Sequence, residues 1–474
     1  MEKEKTNSDQ RFINALLLYS GFTDDPGLLC GKTGISIFFY HLSRKTGNAV
    51  YEDYAGHLLD QVFKTIHAAS PVDFSSGLSG IGWGVEYLLQ NGFIEAAEND
   101  ILEEVDTAVF QLDRKLPQLL RNYNDFYGYG LYYLCRAKKE IRNEEAFQLI
   151  RDDIKKLLNE PLPEETQPCP TYIISLLWFI GEIRNRSWCP SDLDEVLFLI
   201  PEFVSKYFNK EWNPVEWYYL ESVLKDLELP LPSYEEVEKP PFSLEQQLKQ
   251  DSQAVLFEML FEGIQPACDV ESDYKTGIPE ILKHEEIWGK LLYESGDKEQ
   301  DRLWSMTGFA LGFLKHDITP ELQFIKNEKQ SNIYIFNRKS RAAEYGIGTY
   351  IKELTTGLKK NGLYVSVIHL DAERSEFAIE EQEGVQNWYI PGNSNSLSFD
   401  YNTYIGTLIT FMRLHISKFK NPVFHLNFLR DYALAKCLHE TFVCKILTRF
   451  RNSQKKFKNF KNEKNRKIKI KSTQ

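Results

Sequence analysis

A short phrase of closely spaced small residues recurs along this chain, each time directly ahead of an aromatic-rich run. It reads Gly31-Lys32-Thr33-Gly34-Ile35-Ser36 before IFFYHL and Gly77-Leu78-Ser79-Gly80-Ile81-Gly82 before WGVEYLL. Weaker copies are Tyr127-Gly128-Tyr129-Gly130 before LYYLCRA and Thr307-Gly308-Phe309-Ala310-Leu311-Gly312 before FLK. Glycine within a helix costs about 1 kcal/mol relative to alanine, so a repeated glycine implies a repeated offset. Close approach of helices around a crowded centre is such an offset, because only small residues let backbones meet. The first two phrases begin 46 residues apart, which suits a helical-hairpin repeat. Between the phrases, residues 51–68 and 100–116 read as amphipathic outer helices. The expected fold is an all-α toroid of paired helices over residues 1–316.

A polar stretch, KHDITPELQFIKNEKQS, ends that pattern and marks residues 317–330 as a linker. Residues 331–448 have a different period. Ile333-Tyr334-Ile335-Phe336 is an apolar run of strand type, followed by a turn carrying Gly346 and Gly348. Tyr350, Leu354 and Leu358 then fall at helical spacing, Gly362 closes the helix, and Val365-Ser366-Val367-Ile368 makes a second strand. Such a strand, glycine loop, helix, strand unit suits an anionic or sugar ligand. Glycine lets the backbone approach it, and the helix N-terminus offers unpaired N–H groups. Packing of helix on sheet alone also accounts for a lone Gly-x-Gly.

Composition bounds the rest. With 42% hydrophobic residues the 474-residue chain can build two or three cores, and no apolar run approaches the roughly 20 residues of a membrane span. The expected location is cytoplasmic. Seven scattered cysteines without a CxxC argue against a disulfide framework. The net charge of −12 argues against a nucleic-acid partner for the folded part. Residues 449–474 differ, with eleven Lys or Arg against one Glu and a collapsed alphabet. They are expected to be a frame-shifted or plainly disordered tail rather than a nucleic-acid binder.

The phrase Gly77 to Gly84 resembles the glycine repeats of lanthionine synthetase C-like (LanC-like) proteins, whose fold is an α/α toroid. The resemblance covers about residues 10 to 316, and the Pro-rich stretch at 227–242 marks an insertion or a place where hairpins are missing. The family's cyclases hold zinc through two Cys and one His, in motifs of the kind Trp-Cys-x-Gly and Cys-His-Gly. Here Trp188-Cys189-Pro190 lacks the glycine, Cys268 is followed by Asp269, and His284 and His316 have no matched spacing. No zinc is therefore expected, and Cys189 and Cys268 read as ordinary residues. Toroids also host glycoside hydrolases, which use paired carboxylates. Asp24, Asp25 and Asp73 precede the glycine phrases and would share one rim, although Asp ahead of a helix is first of all a cap. Glu235-Glu236 and Glu271 with Asp273 read as solvated loops.

Residues 332–370 resemble the first βαβ unit of GT-B glycosyltransferases of the family 4 type, through Tyr345-Gly346-Ile347-Gly348, Glu353-Leu354, Leu358, Asn361-Gly362 and Val365 to Ile368. The likeness continues at Asn387 to Pro391, a third strand. It extends to Asn421-Pro422-Val423-Phe424-His425-Leu426-Asn427, where the family places a His at the sheet's carboxyl edge. Residues 431–438 then read as a helix and 444–447 as a strand. The resemblance implies a Rossmann-like domain with Gly346, Gly348 and His425 as substrate-binding residues and a nucleotide-sugar as donor. No other cofactor is implied. The donor-holding half of such enzymes, with its Glu-x7-Glu stretch, has no counterpart here, so the domain reads as truncated and inactive alone, with another chain as a candidate donor-domain partner. Together the two resemblances imply tailoring of a ribosomally made peptide, with a peptide or small-molecule acceptor. A peptide-binding scaffold without chemistry, and a toroidal glycoside hydrolase, are the competing readings.

Overall fold

The computed structural model describes residues 2–67, 70–95, 100–110, 123–137, 144–159, 167–185, 193–207, 212–232, 243–261, 287, 305–315, 333–338, 348–372, 377–392, 401–416, 421–426 and 432–448. The linker at 317–330, Glu235, Glu236, Glu271, Asp273 and the basic tail from 449 lie outside them. The chain divides into two compact units, Thr23–Ile318 and, together, Met1–Phe22 with Thr319–Gln474.

The first unit is helical. Its elements are α2 (Lys32–Thr46), α3 (Ala49–Thr65), α4 (Leu78–Gln90), α5 (Asp100–Phe110), α6 (Gly128–Ala137), α7 (Glu144–Asn159), α8 (Pro170–Asn185), α9 (Leu193–Tyr207), α10 (Pro214–Asp226), α11 (Leu244–Leu260) and α12 (Met306–Lys315), with α1 (Glu2–Phe22) belonging to the other unit. Local sequence sets many of the ends. Asn48 caps α3 through Val50 N, Gly47 stops α2 in the left-handed region at φ 66°, and Asn213 and Ser243 form capping boxes with Glu216 and Gln246.

Packing runs around a closed circuit. α2 meets α4, α4 meets α6, α6 meets α8, α8 meets α10, α10 meets α11, α11 meets α12, and α12 returns to α2. Outer helices back this ring: α3 lies on α2, α5 on α4, α7 on α6, and α9 on α7. The glycine phrases fall where inner helices meet. A Cβ at Gly34 would collide with Thr307 Oγ1 of α12, one at Gly308 with the Ser252 carbonyl of α11, and one at Gly82 with the Tyr132 ring of α6. The expected reason for those glycines, close approach around a crowded centre, is what the packing displays.

The second unit holds a six-stranded mixed sheet. Its elements are β1 (Ile333–Arg338), α13 (Gly348–Lys360), β2 (Val365–Ala372), β3 (Ala378–Gln382), β4 (Val385–Pro391), α14 (Tyr401–His415), β5 (Val423–Leu426), α15 (Tyr432–Thr441) and β6 (Lys445–Thr448). Strand order is β3-β4-β2-β1-β5-β6, parallel except for β3, which forms a hairpin with β4 through Glu383 and Gly384, both at positive φ. Ile335, Val365 and Val367 turn to one face and pack on Ile351, with Tyr350, Leu354 and Leu358 of the same helix α13. Tyr334, Phe336, Trp388 and Phe424 turn to the other, where Trp388 meets Phe411 and His415 of α14. Helix α1 lies on α14, with Phe22 stacked on Tyr404 at 6.4 Å. Sequence reading runs the helical domain unbroken from residue 1, whereas this first helix packs on residues 401–415. Among the described residues no helix is long and apolar enough to cross a membrane.

Candidate functional site

The sheet offers one conspicuous place for a ligand. The chain moves outward from β1 through β2 to β4, then returns to β5 on the other side of β1, so strand order reverses between β1 and β5. In open α/β sheets the loops at the carboxyl ends diverge at such a point and leave a crevice. The segments that follow β1 and β5 there, 339–347 and 427–431, lie outside the described residues.

His425 stands there. It is opposite Ile335 in the β1/β5 register, half-buried, and its Nε2 lies 3.3 Å from Tyr350 Oη in the first turn of α13. Gly348 is the first residue of α13, so its N–H belongs to the unpaired set at the helix start. Gly346 lies outside the described residues.

Strand alternation adds residues that motif reading passed over. Asn337 of β1 and His369 of β2 are register partners on the face shared by Ile335 and Val367, one step nearer the carboxyl edge. Asn337 Nδ2 and His369 Nδ1 are 3.2 Å apart, and His369 Nε2 is 3.1 Å from Asn387 Oδ1 on β4. The His369 ring stacks on Tyr389 at 5.0 Å. Tyr350, His425, Asn337, His369 and Asn387 thus form a polar band over four strands and a helix start, with Glu380 of β3 opposite Asn387. Period-two counting from Ile333 and Val365 would have found Asn337 and His369, since each is the first polar residue after two apolar ones on the core face.

The helical unit presents its chemistry at the N-terminal ends of the inner helices. Asp125 precedes α6, and its carboxylate accepts from Phe74 N at 2.7 Å, Ser75 N at 3.0 Å and the Ser75 hydroxyl. Burial raises its pKa, while the Ser75 and Phe126 bonds act in the other direction. Asp25 Oδ1 accepts from Gly27 N at 2.8 Å, and Asp73 Oδ1 from Ser76 N at 2.9 Å. These carboxylates hold their own and neighbouring turns. Asp24 is exposed at the same rim.

Residues 10–190 match the family model for lanthionine synthetase C-like protein. The matched stretch begins inside α1 and runs through α8, so it contains the first inner helices of the ring and their glycine phrases. No curated protein and no solved structure matches the chain.

The zinc of LanC-like cyclases requires converging thiolates and imidazole. Cys189 and Cys268 lie outside the described residues. Among the described residues no group of three His, Cys, Asp or Glu side chains is placed to hold a metal. Cys169, at the start of α8, turns its Sγ to Thr171 Oγ1 at 2.8 Å and to the Asp125 carbonyl at 3.4 Å, and burial pushes its thiol up to about 11. A neutral thiol bonded to a hydroxyl and a carbonyl does not fit a zinc thiolate.

Proposed function

We propose that the chain takes part in tailoring a ribosomally made peptide, with the LanC-like ring as the peptide-binding element and the α/β unit as the acceptor side of a sugar-transfer site. The first half of this reading is supported by the family match over residues 10–190. The second is supported by one coincidence: the start of α13, at Gly348, and His425 both fall where strand order reverses.

In this reading the N–H groups at Gly348 and the loop of Gly346 approach the ligand closely, and His425, braced by Tyr350, contacts an acceptor hydroxyl. A GT-B transfer also needs a second sheet to hold the donor diphosphate, and the departing charge has to be stabilised there. Those contacts come from outside residues 331–448. The ring's rim carboxylates Asp25, Asp73 and Asp125 are engaged by backbone N–H groups, which favours binding over hydrolysis in that unit.

The test is co-incubation of the purified chain with synthetic Ser-, Thr- and Cys-containing peptides, with and without UDP-glucose. The expected result is saturable peptide binding, lost on trimming residues 23–137, and no hexose-sized mass increment from this chain alone. Absence of peptide binding would remove the first half. Sugar transfer that persists in Gly346→Val and His425→Ala variants would remove the second.

A further inference from the structure

The α/β unit contains a buried acceptor that its own hydrogen-bond network leaves over, and the network dictates which atom it is. On β4, Asn387 Nδ2 donates to the Val385 carbonyl at 3.3 Å. The oxygen of the same amide therefore faces His369 Nε2, at 3.1 Å. An amide oxygen only accepts, so Nε2 carries the hydrogen, and in the neutral imidazole Nδ1 becomes the acceptor. Asn337 meets that acceptor with Nδ2, at 3.2 Å. What remains is Asn337 Oδ1, which is buried and has no hydrogen-bond partner among the described residues. Buried acceptors are rarely left in this state.

Its position is informative. Asn337 sits at the carboxyl end of β1, diagonal to His425 across the β1/β5 pair. Strand spacing and rise put the two Cα atoms roughly 8 Å apart, within the span of one hexose ring. Phosphate oxygens would be repelled by a carbonyl, because at neutral pH they bring acceptors to an acceptor. A metal cation would call for several converging ligands, and among the described residues no group of three His, Cys, Asp or Glu side chains is placed to hold one. A hydroxyl satisfies the site.

We propose that Asn337 is a ligand-binding residue whose Oδ1 accepts a hydrogen bond from a hydroxyl of a neutral sugar ring, with His369 and Asn387 as positioning residues that hold the amide in that orientation. This rests on the sugar-transfer reading above and names the chemistry its crevice selects. Replacing His369 with a residue that cannot accept at Nδ1 frees the Asn337 amide to flip, so the site would present N–H in place of oxygen.

The probe is methyl α-glucopyranoside, with UDP run separately, on the full chain labelled with ¹⁵N-histidine. The His369 signals are assigned by their loss in His369→Gln. The expected result has two parts: His369 shows the Nε2–H tautomer, and the glucoside shifts its signals saturably. Asn337→Leu, close in volume, should weaken that response at least fivefold, while Asn337→Asp, which keeps an acceptor there, should retain it. A glucoside that leaves His369 unmoved, an Asn337→Leu response equal to wild type, or the Nδ1–H tautomer would each overturn the proposal. UDP binding without a glucoside response would sink this assignment and leave the sugar-transfer reading standing. A glucoside response without UDP binding is the expected result for an acceptor-side site whose donor contacts come from outside residues 331–448. Should Asn337→Leu fail to fold, the wild-type shift and the Asn337→Asp response decide.

Discussion

Thr307 closes the helical ring on Leu28, its hydroxyl donating to the Leu28 carbonyl at 2.5 Å although 279 residues separate the two. Its backbone N–H donates to Leu29 O at 3.0 Å, and Leu28 and Leu29 in turn both donate to Ser75 O. Ser75 then leads to Asp125. The last inner helix is thereby stitched through the first loop to the second and third, along the rim that carries the glycine phrases.

Replacing Thr307 with Val keeps the shape and removes the hydroxyl, leaving the Leu28 carbonyl without that donor in a buried place. The expected loss is about 1–3 kcal/mol, read from urea unfolding followed by far-UV circular dichroism, with Thr307→Ser close to wild type. Equal midpoints for Thr307→Val and wild type would show that this stitch contributes nothing.

Asp251 of α11 should make stability fall with rising pH. It is 3% exposed, and both carboxylate oxygens lack hydrogen-bond partners among the described residues. Burial pushes its pKa up from 3.8 to about 7. Because the folded value lies above the unfolded one, the unfolded chain releases the proton first. Stability from the neutral carboxyl is therefore complete below about pH 4 and is lost progressively up to about pH 7, flattening above it. Asp251→Asn should match wild type at pH 4 and exceed it at pH 8 by roughly 1–3 kcal/mol. Parallel pH profiles for the two proteins would rule this out.

Arg136 of α6 anchors a buried charge cluster. Its guanidinium meets Glu86 of α4 at 2.8 Å and Asp106 of α5 at 2.7 Å, Tyr132 Oη donates to Asp106, and Gln90 donates to Glu86. Glu86 is fully buried, so Arg136→Leu removes the guanidinium that a buried carboxylate faces and should cost about 3–5 kcal/mol. Adding Glu86→Gln should recover much of that loss. A single-variant loss below about 1 kcal/mol, the size of a surface pair, would mean that the cluster is solvated.

Part of this molecule was plain in its sequence, for reasons that differ by element. Glycines at 34, 80, 82 and 308 sit inside helices, where each is a local cost that only tight neighbours explain, so the inner helices announced themselves. The runs at 333–336 and 365–368 are strands buried on both faces, which sequence shows as continuous apolar residues. The β3/β4 hairpin escaped because its turn is Glu383-Gly384, with a non-glycine at φ 50°, outside the usual Asn-Gly signal. Helix α14 was unread, and the partner of α1 could not be read at all, since an apolar stripe says that a face is buried and not against what. Asn337 and His369 were hidden by attention to motifs, although the alternation that places them is elementary. Cys189, Cys268 and Gly346 lie outside the described residues.

Removing α1 should be felt far along the chain. Gly21 lies against Thr407, where a Cβ would come within 2.5 Å of Oγ1, and Phe22 stacks on Tyr404. Deleting residues 1–22, or placing Val at Gly21, should accelerate amide hydrogen exchange in residues 401–416 by at least tenfold, with α2 and α4 unaffected. Unchanged exchange there would mean that the contact is incidental.

The same contact imposes an order of events during synthesis. Helix α1 leaves the ribosome well ahead of its partner α14, which ends at His415. At about 5–20 residues per second, its apolar face stays without that partner for roughly 20–80 seconds, during which the intervening ring helices are already free to close on one another. Helix α1 is thus made before the ring helices and placed after them, and the nascent chain carries an exposed adhesive segment throughout the synthesis of everything between α1 and α14.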